Sequence, residues 1–134
     1  MFRGIKRGEI KCLEINMSLT ISFIYLSESF NNSDFQVESN LFGFEICRKE
    51  LWGNQKLKDL GCLIIPKLKE FDLFIIKDEL QTIYEDCQII LEHINEISLA
   101  TNYSDEFIKF RINNLLNFIE IALENKENLG LNIS

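Results

Sequence analysis

The sequence predicts an α+β fold, with a small antiparallel sheet packed on helices and a C-terminal antiparallel helical hairpin. Three observations predict it: an alternating apolar segment near the N-terminus, a short apolar run in mid-chain, and two long stretches of helical periodicity towards the end. Strands and helices that are segregated along a chain favour α+β over alternating α/β folds. The 134 residues suffice for one domain with one core.

Charge is distributed unevenly and suggests where that domain begins. Residues 1–16 carry four Lys or Arg against two Glu, a balance of +2; since the whole chain carries −7, the remainder carries −9. We expect residues 1–16 to be a basic N-terminal extension or arm, and residues 17–134 to form a single α+β domain. The apolar segment after Met17 is too short to span a bilayer and lacks a cleavage site, so neither a membrane anchor nor secretion is expected.

The first predicted strand covers residues 18–26, where one face carries Leu19, Ile21, Phe23 and Tyr25. Residues 27–35 are polar and predict a loop, and residues 35–39 predict a short second strand. Further along, residues 72–77 form a short apolar run that predicts a buried strand. Residues 131–133 predict a last strand, at an edge of the sheet.

Residues 41–65 allow two interpretations. A strand is indicated by the alternation of Phe42, Phe44 and Ile46. A helix is indicated by the stripe Leu41, Phe44, Cys47 and Leu51. We predict a helix over residues 41–52, ended by Gly53, and a second helix over residues 55–65 that Pro66 ends or kinks.

The clearest elements are two long helices. The first runs from its predicted cap, Asp78, to about Ser98, and apolar residues recur at every third or fourth position. The second is capped by Ser104 and continues until Gly130. Its apolar face is widened by Phe107, Phe110 and Phe118. A link of about six residues predicts that the two helices form an antiparallel hairpin.

Cysteine and histidine usage predicts neither a metal site nor a disulfide framework. Cys12, Cys47, Cys62 and Cys87 form no C-x-x-C pair, and the chain has a single histidine. We expect core thiols in a cytoplasmic protein, and no cofactor.

Sequence signatures of catalysis are absent. The glycines form no phosphate-binding loop, and neither G-x-S-x-G nor H-E-x-x-H occurs. His93 lies beside Glu92 and three residues before Glu96, an arrangement that supports a general base, but no nucleophile accompanies it. We therefore predict that the chain is not an enzyme, and the minor alternative is an enzyme without a recognisable motif, centred on His93.

An acidic ridge is predicted along the helix that begins at Asp78. Asp78, Glu85 and Glu92 recur every seven residues and Glu96 follows; a neighbouring row repeats the spacing at Glu79, Asp86 and His93. Such a ridge is either a solvated helix face or a docking surface for a basic protein. The acidic body repels phosphates, so neither nucleic acid nor a membrane surface is expected as a partner.

Trp52 is the remaining candidate for a partner contact. Tryptophan is enriched in binding hot spots, and it also fills cores. Both interpretations stay open at this stage.

Three segments carry a resemblance: GFEICRKELWG at 43–53, CLIIPKLKEFDLFI at 62–75 and FIKFRINNLLNFIEIA at 107–122. They look like small bacterial α+β proteins of unassigned function, over roughly residues 37–134. In size, acidity and lack of a catalytic signature the chain also resembles the immunity proteins that neutralise bacterial toxins. That resemblance implies a stoichiometric inhibitor whose acidic face covers the active site of a basic toxin. The alternative hypothesis is a structural or regulatory module that forms a homodimer through the apolar strip around Phe107, Phe110 and Phe118.

Overall fold

The computed structural model describes residues 17–27 and 35–134. Four strands are present in these ranges: β1 (Ser18–Tyr25), β2 (Leu41–Phe44), β3 (Leu73–Ile75) and β4 (Leu129–Ile133). The α-helices are α1 (Gln55–Leu60), α2 (Glu79–Glu92), α3 (Ile94–Thr101) and α4 (Asp105–Glu124). Two short helical segments, a π-helical turn (Arg48–Trp52) and a 3₁₀-helix (Ile65–Lys69), complete the described part of the chain. The predicted α+β class is confirmed, while the predicted basic arm at 1–16 lies outside the described residues.

The strands form one antiparallel sheet in the order β2-β1-β4-β3. Ile133 of β4 faces Ile21 of β1 on one side and Leu73 of β3 on the other. The strand predicted at 131–133 is confirmed, but it lies inside the sheet and not at the predicted edge. Its alternating side chains reach the core from a central position: Leu129, Leu131 and Ile133 are all fully buried.

Gly130 fits this central strand because the neighbouring chain comes very close. A Cβ atom here would lie 2.7 Å from Cγ2 of Ile76 and 2.8 Å from the carbonyl oxygen of Ile75. Any side chain would push these groups away. The glycine expected to end a helix instead allows close packing within the sheet, and helix α4 ends earlier, at Glu124.

The helix predicted over residues 41–52 is wrong for its first part. Residues Leu41–Phe44 are strand β2, which pairs with β1 through Thr20 and Leu41. Gly43 has a φ of +99°, which no α-helical residue adopts. The alternation of Phe42 and Phe44 was thus the correct signal. Only the later residues are helical, in the π-helical turn Arg48–Trp52.

The helix predicted over residues 55–65 is cut short. Helix α1 ends at Leu60 because Gly61 adopts a left-handed conformation with φ of +109°. Its start is held by Asn54, whose side chain accepts a hydrogen bond from the backbone N–H of Lys56. Pro66 then lies in the first turn of the 3₁₀-helix, where its missing N–H costs no hydrogen bond.

The strand predicted at 72–77 is present but differs in length and position. It comprises three residues at the edge of the sheet, with Leu73 and Ile75 buried and Phe74 66% exposed. No strand forms at 35–39. The predicted loop at 27–35 lies mostly outside the described residues.

The helix predicted over 78–98 is two helices, because the backbone leaves helical geometry at His93 (φ −118°, ψ 29°). Asp78 is the N-cap residue of α2, as predicted, but its side chain makes no capping hydrogen bond. Glu79 accepts a hydrogen bond from the N–H of Ile76 instead. Ser104 is confirmed as a cap, accepting a hydrogen bond from the N–H of Phe107 at 3.0 Å.

Helix α4 packs against α2 and α3 on one side and against strands β1, β2 and β4 on the other. It therefore forms the centre of the core, as its wide apolar face indicated. Its buried side chains are Ile108, Ile112, Asn114, Leu115, Phe118, Ile119 and Ala122. The helices α2 and α3, which are packed against α4, expose their outer surface, and this is where the predicted acidic residues lie.

Candidate functional site: an acidic helical face

The acidic face comprises Asp78, Glu85, Glu92 and Glu96, and all four residues are exposed. Glu85 and Glu92 lie on α2, opposite the buried stripe of that helix, while Glu96 lies in the first turn of α3. Asp78 immediately precedes α2. The predicted ridge therefore exists as a surface, although it extends over two helices rather than along one.

The break between the two helices is occupied by a hydrogen-bonded pair. Nδ1 of His93 lies 2.8 Å from Oε1 of Glu96, and both side chains are exposed. No other side-chain hydrogen bond of His93 is present in the described parts of the chain. The pair joins the end of α2 to the first turn of α3.

Asp86, which the sequence placed on the neighbouring acidic row, is not on the surface. It is 1% exposed, and its carboxylate accepts three backbone N–H groups, from Leu63 at 2.9 Å, Ile64 at 2.7 Å and Ile65 at 2.9 Å. These N–H groups begin the 3₁₀-helix and have no backbone acceptor of their own. Asp86 therefore stabilises the connection between α1 and β3. The prediction that it belongs to the exposed acidic ridge is wrong.

The acidic face lies within a stretch of the sequence that is free of positive charge. No Lys or Arg occurs between Lys77 and Lys109, whereas this stretch contains eight carboxylates. Lys77 itself is paired with Glu127, at 3.6 Å between Nζ and Oε1. Residues 78–134 hold eleven carboxylates against three Lys or Arg, whereas residues 48–77 hold four against seven. The negative charge is therefore concentrated in the helical half of the domain.

In the other half of the domain, Arg48 is the centre of a hydrogen-bonded network. Arg48 donates hydrogen bonds to the carboxylates of Glu45 and Asp72 and to the carbonyl oxygen of Leu68. Burial alone would lower the pKa of Arg48, but its hydrogen bonds to the carboxylates of Asp72 and Glu45 raise this pKa above its ordinary value. These contacts tie the π-helical turn to the segment before β3. Each of the three guanidinium nitrogens of Arg48 therefore already has an acceptor within the domain.

Trp52 lies in the core. It is 0% exposed, its ring stacks on Phe42 at 4.3 Å between centroids, and its Nε1–H donates to the carbonyl oxygen of Phe42 at 2.9 Å. In the folded domain Trp52 therefore offers no surface to a partner, and it drops out of the candidate contacts.

The cysteines of the described residues are core thiols, as predicted. Cys47, Cys62 and Cys87 are buried and free. Burial raises the pKa of each, to about 12 for Cys62. Since the thiolate is the nucleophilic form, these thiols are poorly reactive.

Arg111, which lies beside Phe107 and Phe110 on α4, was not singled out from the sequence. The guanidinium of Arg111 lies over the ring of Phe107, 3.8 Å from its centroid, and within 5.2 Å of the ring of Phe110. Phe107 in turn contacts Tyr103 at 5.1 Å between centroids. Phe107 and Arg111 are four residues apart in sequence, the spacing at which side chains meet on a helix, so the signal was present.

No group of three His, Cys, Asp or Glu side chains in residues 17–27 and 35–134 is placed to hold a metal ion. None of the helices in this part of the chain combines the length and apolar character needed to cross a membrane.

Comparisons with protein families, with curated proteins and with solved structures found no match to this chain. The class is therefore defined by fold and surface alone: a small α+β domain with a four-stranded antiparallel sheet and a helical layer. Within that class, the distinguishing feature is an exposed acidic face on α2 and α3.

Proposed function

We propose that this chain is a non-catalytic protein-binding domain that engages a basic partner through the acidic face. The observation that carries the proposal is the stretch from Lys77 to Lys109, which has exposed carboxylates and no interior Lys or Arg. Carboxylates compensated by neighbouring cations attract little, whereas an uncompensated cluster attracts an oppositely charged partner and raises its association rate.

The His93–Glu96 pair and the buried thiols also argue for a binding role rather than for catalysis. His93 and Glu96 form a pair without a nucleophile, and the buried thiols have raised pKa values. A solvent-exposed pair of this kind lacks the enclosed, desolvated surroundings in which charged groups accelerate reactions. These features support a non-catalytic role.

Within the protein-binding class we propose an immunity-type inhibitor, which binds a basic toxin and covers its active site. The resemblance in size, acidity and composition supports this narrower assignment. A cytoplasmic location belongs to the same proposal, because free buried thiols fit a reducing compartment.

Capture from lysate of the native host tests the proposal. The bait is the full chain, and the face variant carries Glu85→Lys, Glu92→Lys and Glu96→Lys. We expect the wild-type bait to retain a basic protein at low salt and to release it at high salt, because screening weakens exposed charge contacts. The face variant should retain at least about tenfold less, since the steered encounter and the rim contacts are both lost.

The matched control variant carries Glu70→Lys, Glu120→Lys and Glu124→Lys, which are exposed carboxylates that do not belong to the acidic face. It changes the net charge by the same amount as the face variant. Equal loss of capture by both variants would show that net charge alone attracts the partner. Undiminished capture by the face variant would contradict the proposal.

The alternative of a self-associating module has lost part of its basis. Of its three residues, Phe118 is 3% exposed and contacts Phe23 at 4.8 Å, and Phe107 is partly buried. Phe110 alone stays largely exposed, at 46%. Light scattering across a wide range of protein concentrations decides this alternative: a constant monomer mass ends it, and a concentration-dependent dimer revives it.

A further inference from the structure

Arg111 is a cation without an acceptor. Its Nε atom is covered, yet it has no hydrogen-bond partner, and no carboxylate of the described residues lies within ion-pair distance of its guanidinium. Burial lowers the pKa of Arg111 from its ordinary value. A partly buried charge with an unsatisfied donor destabilises a fold, and in native structures such a group calls for an explanation.

The aromatic rings contact the guanidinium of Arg111 but do not satisfy its N–H donors. Phe107 covers one face of the planar group at 3.8 Å, an attraction between cation and ring. The N–H donors, however, point outward in the plane of the guanidinium, where a ring below the plane cannot accept them. Among residues 17–27 and 35–134, the edge formed by the two terminal nitrogens likewise has no acceptor.

Neighbouring rings hold this arrangement in place. Phe107 lies between Tyr103, at 5.1 Å, and Phe44, at 6.2 Å between ring centroids. The Tyr103 hydroxyl donates to Oε1 of Glu50 at 3.0 Å, which fixes that ring as well. Packed aromatic neighbours lower the entropy that Arg111 would lose on binding a ligand.

We propose that Arg111 is a carboxylate-binding site whose ligand carries an apolar group that rests against Phe110. Two parallel N–H donors on one edge match the two oxygens of a carboxylate. Phe110 lies beside the guanidinium at 5.2 Å and is 46% exposed, so it offers apolar surface next to the bound anion. The site is separate from the acidic face in its chemistry, since it takes an anion and the acidic face takes a cation.

Nuclear magnetic resonance of the ¹⁵N-labelled full chain tests the site. Sodium benzoate is added while sodium chloride keeps the ionic strength constant, and the Nε–Hε signal of Arg111 is followed with the backbone signals of α4. We expect saturable shifts at one site, and acetate, which lacks the ring, should bind several-fold more weakly. Inorganic phosphate should also bind more weakly than benzoate, because it has no apolar group.

The source of the carboxylate is distinguished by a second probe, an N-acetylated and C-amidated Phe-Glu dipeptide. Saturation by benzoate alone indicates a free organic acid, and saturation by the dipeptide indicates an acidic side chain of a protein. Both support the carboxylate site. If neither probe gives saturable shifts, the proposal is overturned.

Two variants separate the site from general charge. Arg111→Gln should weaken benzoate binding at least about tenfold, because the bidentate donor pair is lost. Lys109→Gln removes an exposed cation two positions away on the same helix and should change the affinity less than about twofold. Should Arg111→Gln not fold, Arg111→Lys keeps the charge and should still bind several-fold more weakly. Unchanged binding by a folded Arg111 variant contradicts the proposal.

Discussion

Replacing Asp86 with alanine is expected to lower the free energy of unfolding by about 3–5 kcal/mol. The carboxylate accepts the N–H groups of Leu63, Ile64 and Ile65, and the side chain is 1% exposed. Its removal leaves three donors without acceptors and a cavity beside them. Denaturant unfolding, followed by the fluorescence of Trp52, measures the loss.

Two further variants test whether the loss of stability in Asp86→Ala comes from these three hydrogen bonds. Asp86→Asn keeps the shape of the side chain but presents one oxygen and an NH₂ group to three donors, so it should also destabilise, by about 2 kcal/mol or more. Glu85→Gln changes the adjacent, exposed carboxylate and should stay within about 0.5 kcal/mol of wild type. An Asp86→Ala chain that unfolds at the wild-type denaturant concentration would refute the structural role.

The second large effect is expected at Trp52. Truncation to alanine removes a fully buried ring stacked on Phe42 and should cost about 3–5 kcal/mol. Trp52→Phe keeps most of the stacking but loses the hydrogen bond to the carbonyl oxygen of Phe42, and should cost about 1–3 kcal/mol.

Circular dichroism follows these unfolding transitions, since the chain has no other tryptophan. Phe74→Ala is the matched control, because this ring is 66% exposed and its loss should stay within about 0.5 kcal/mol. Equal stability of the Trp52→Ala and Phe74→Ala chains would show that the Trp52 ring does not hold β2 against the π-helical turn.

The sequence predicted best where the apolar period extends over several turns. In α2, the buried positions Leu80, Ile83, Cys87 and Ile90 are those of the predicted stripe, and in α4 the Ser104 cap marks the correct start. Long amphipathic stretches average over local ambiguity, so they indicate helices reliably. The break at His93 was missed because the apolar stripe continues across it, through Ile94 and Ile97.

Short elements were predicted less well because distant parts of the chain determine them. Residues 41–44 fit both a helix and a strand, and pairing with β1 selects the strand. Strand β4 inserts between β1 and β3, which are far from it in sequence, so its central position could not be derived from its own residues.

Contacts with distant parts of the chain also limit what the sequence predicts about the surface. Exposure of Glu85, Glu92 and Glu96 followed from their position opposite the apolar stripe. Asp86 shares that spacing but is buried, because residues 63–65 lie over it and supply three donors. A carboxylate among polar helix positions can be assigned to the surface only when the segments that pack on the helix are known.

The central claim is that the acidic face, and not the net charge, engages a basic partner. The measurement that tests it most directly is the association rate constant of the captured partner, followed by stopped-flow at low ionic strength for three proteins. These are the wild type, the face variant (Glu85→Lys, Glu92→Lys, Glu96→Lys) and the control variant (Glu70→Lys, Glu120→Lys, Glu124→Lys). We predict at least about tenfold slower association for the face variant and less than about twofold for the control variant. Equal slowing of both variants, or no slowing of the face variant, would contradict the claim.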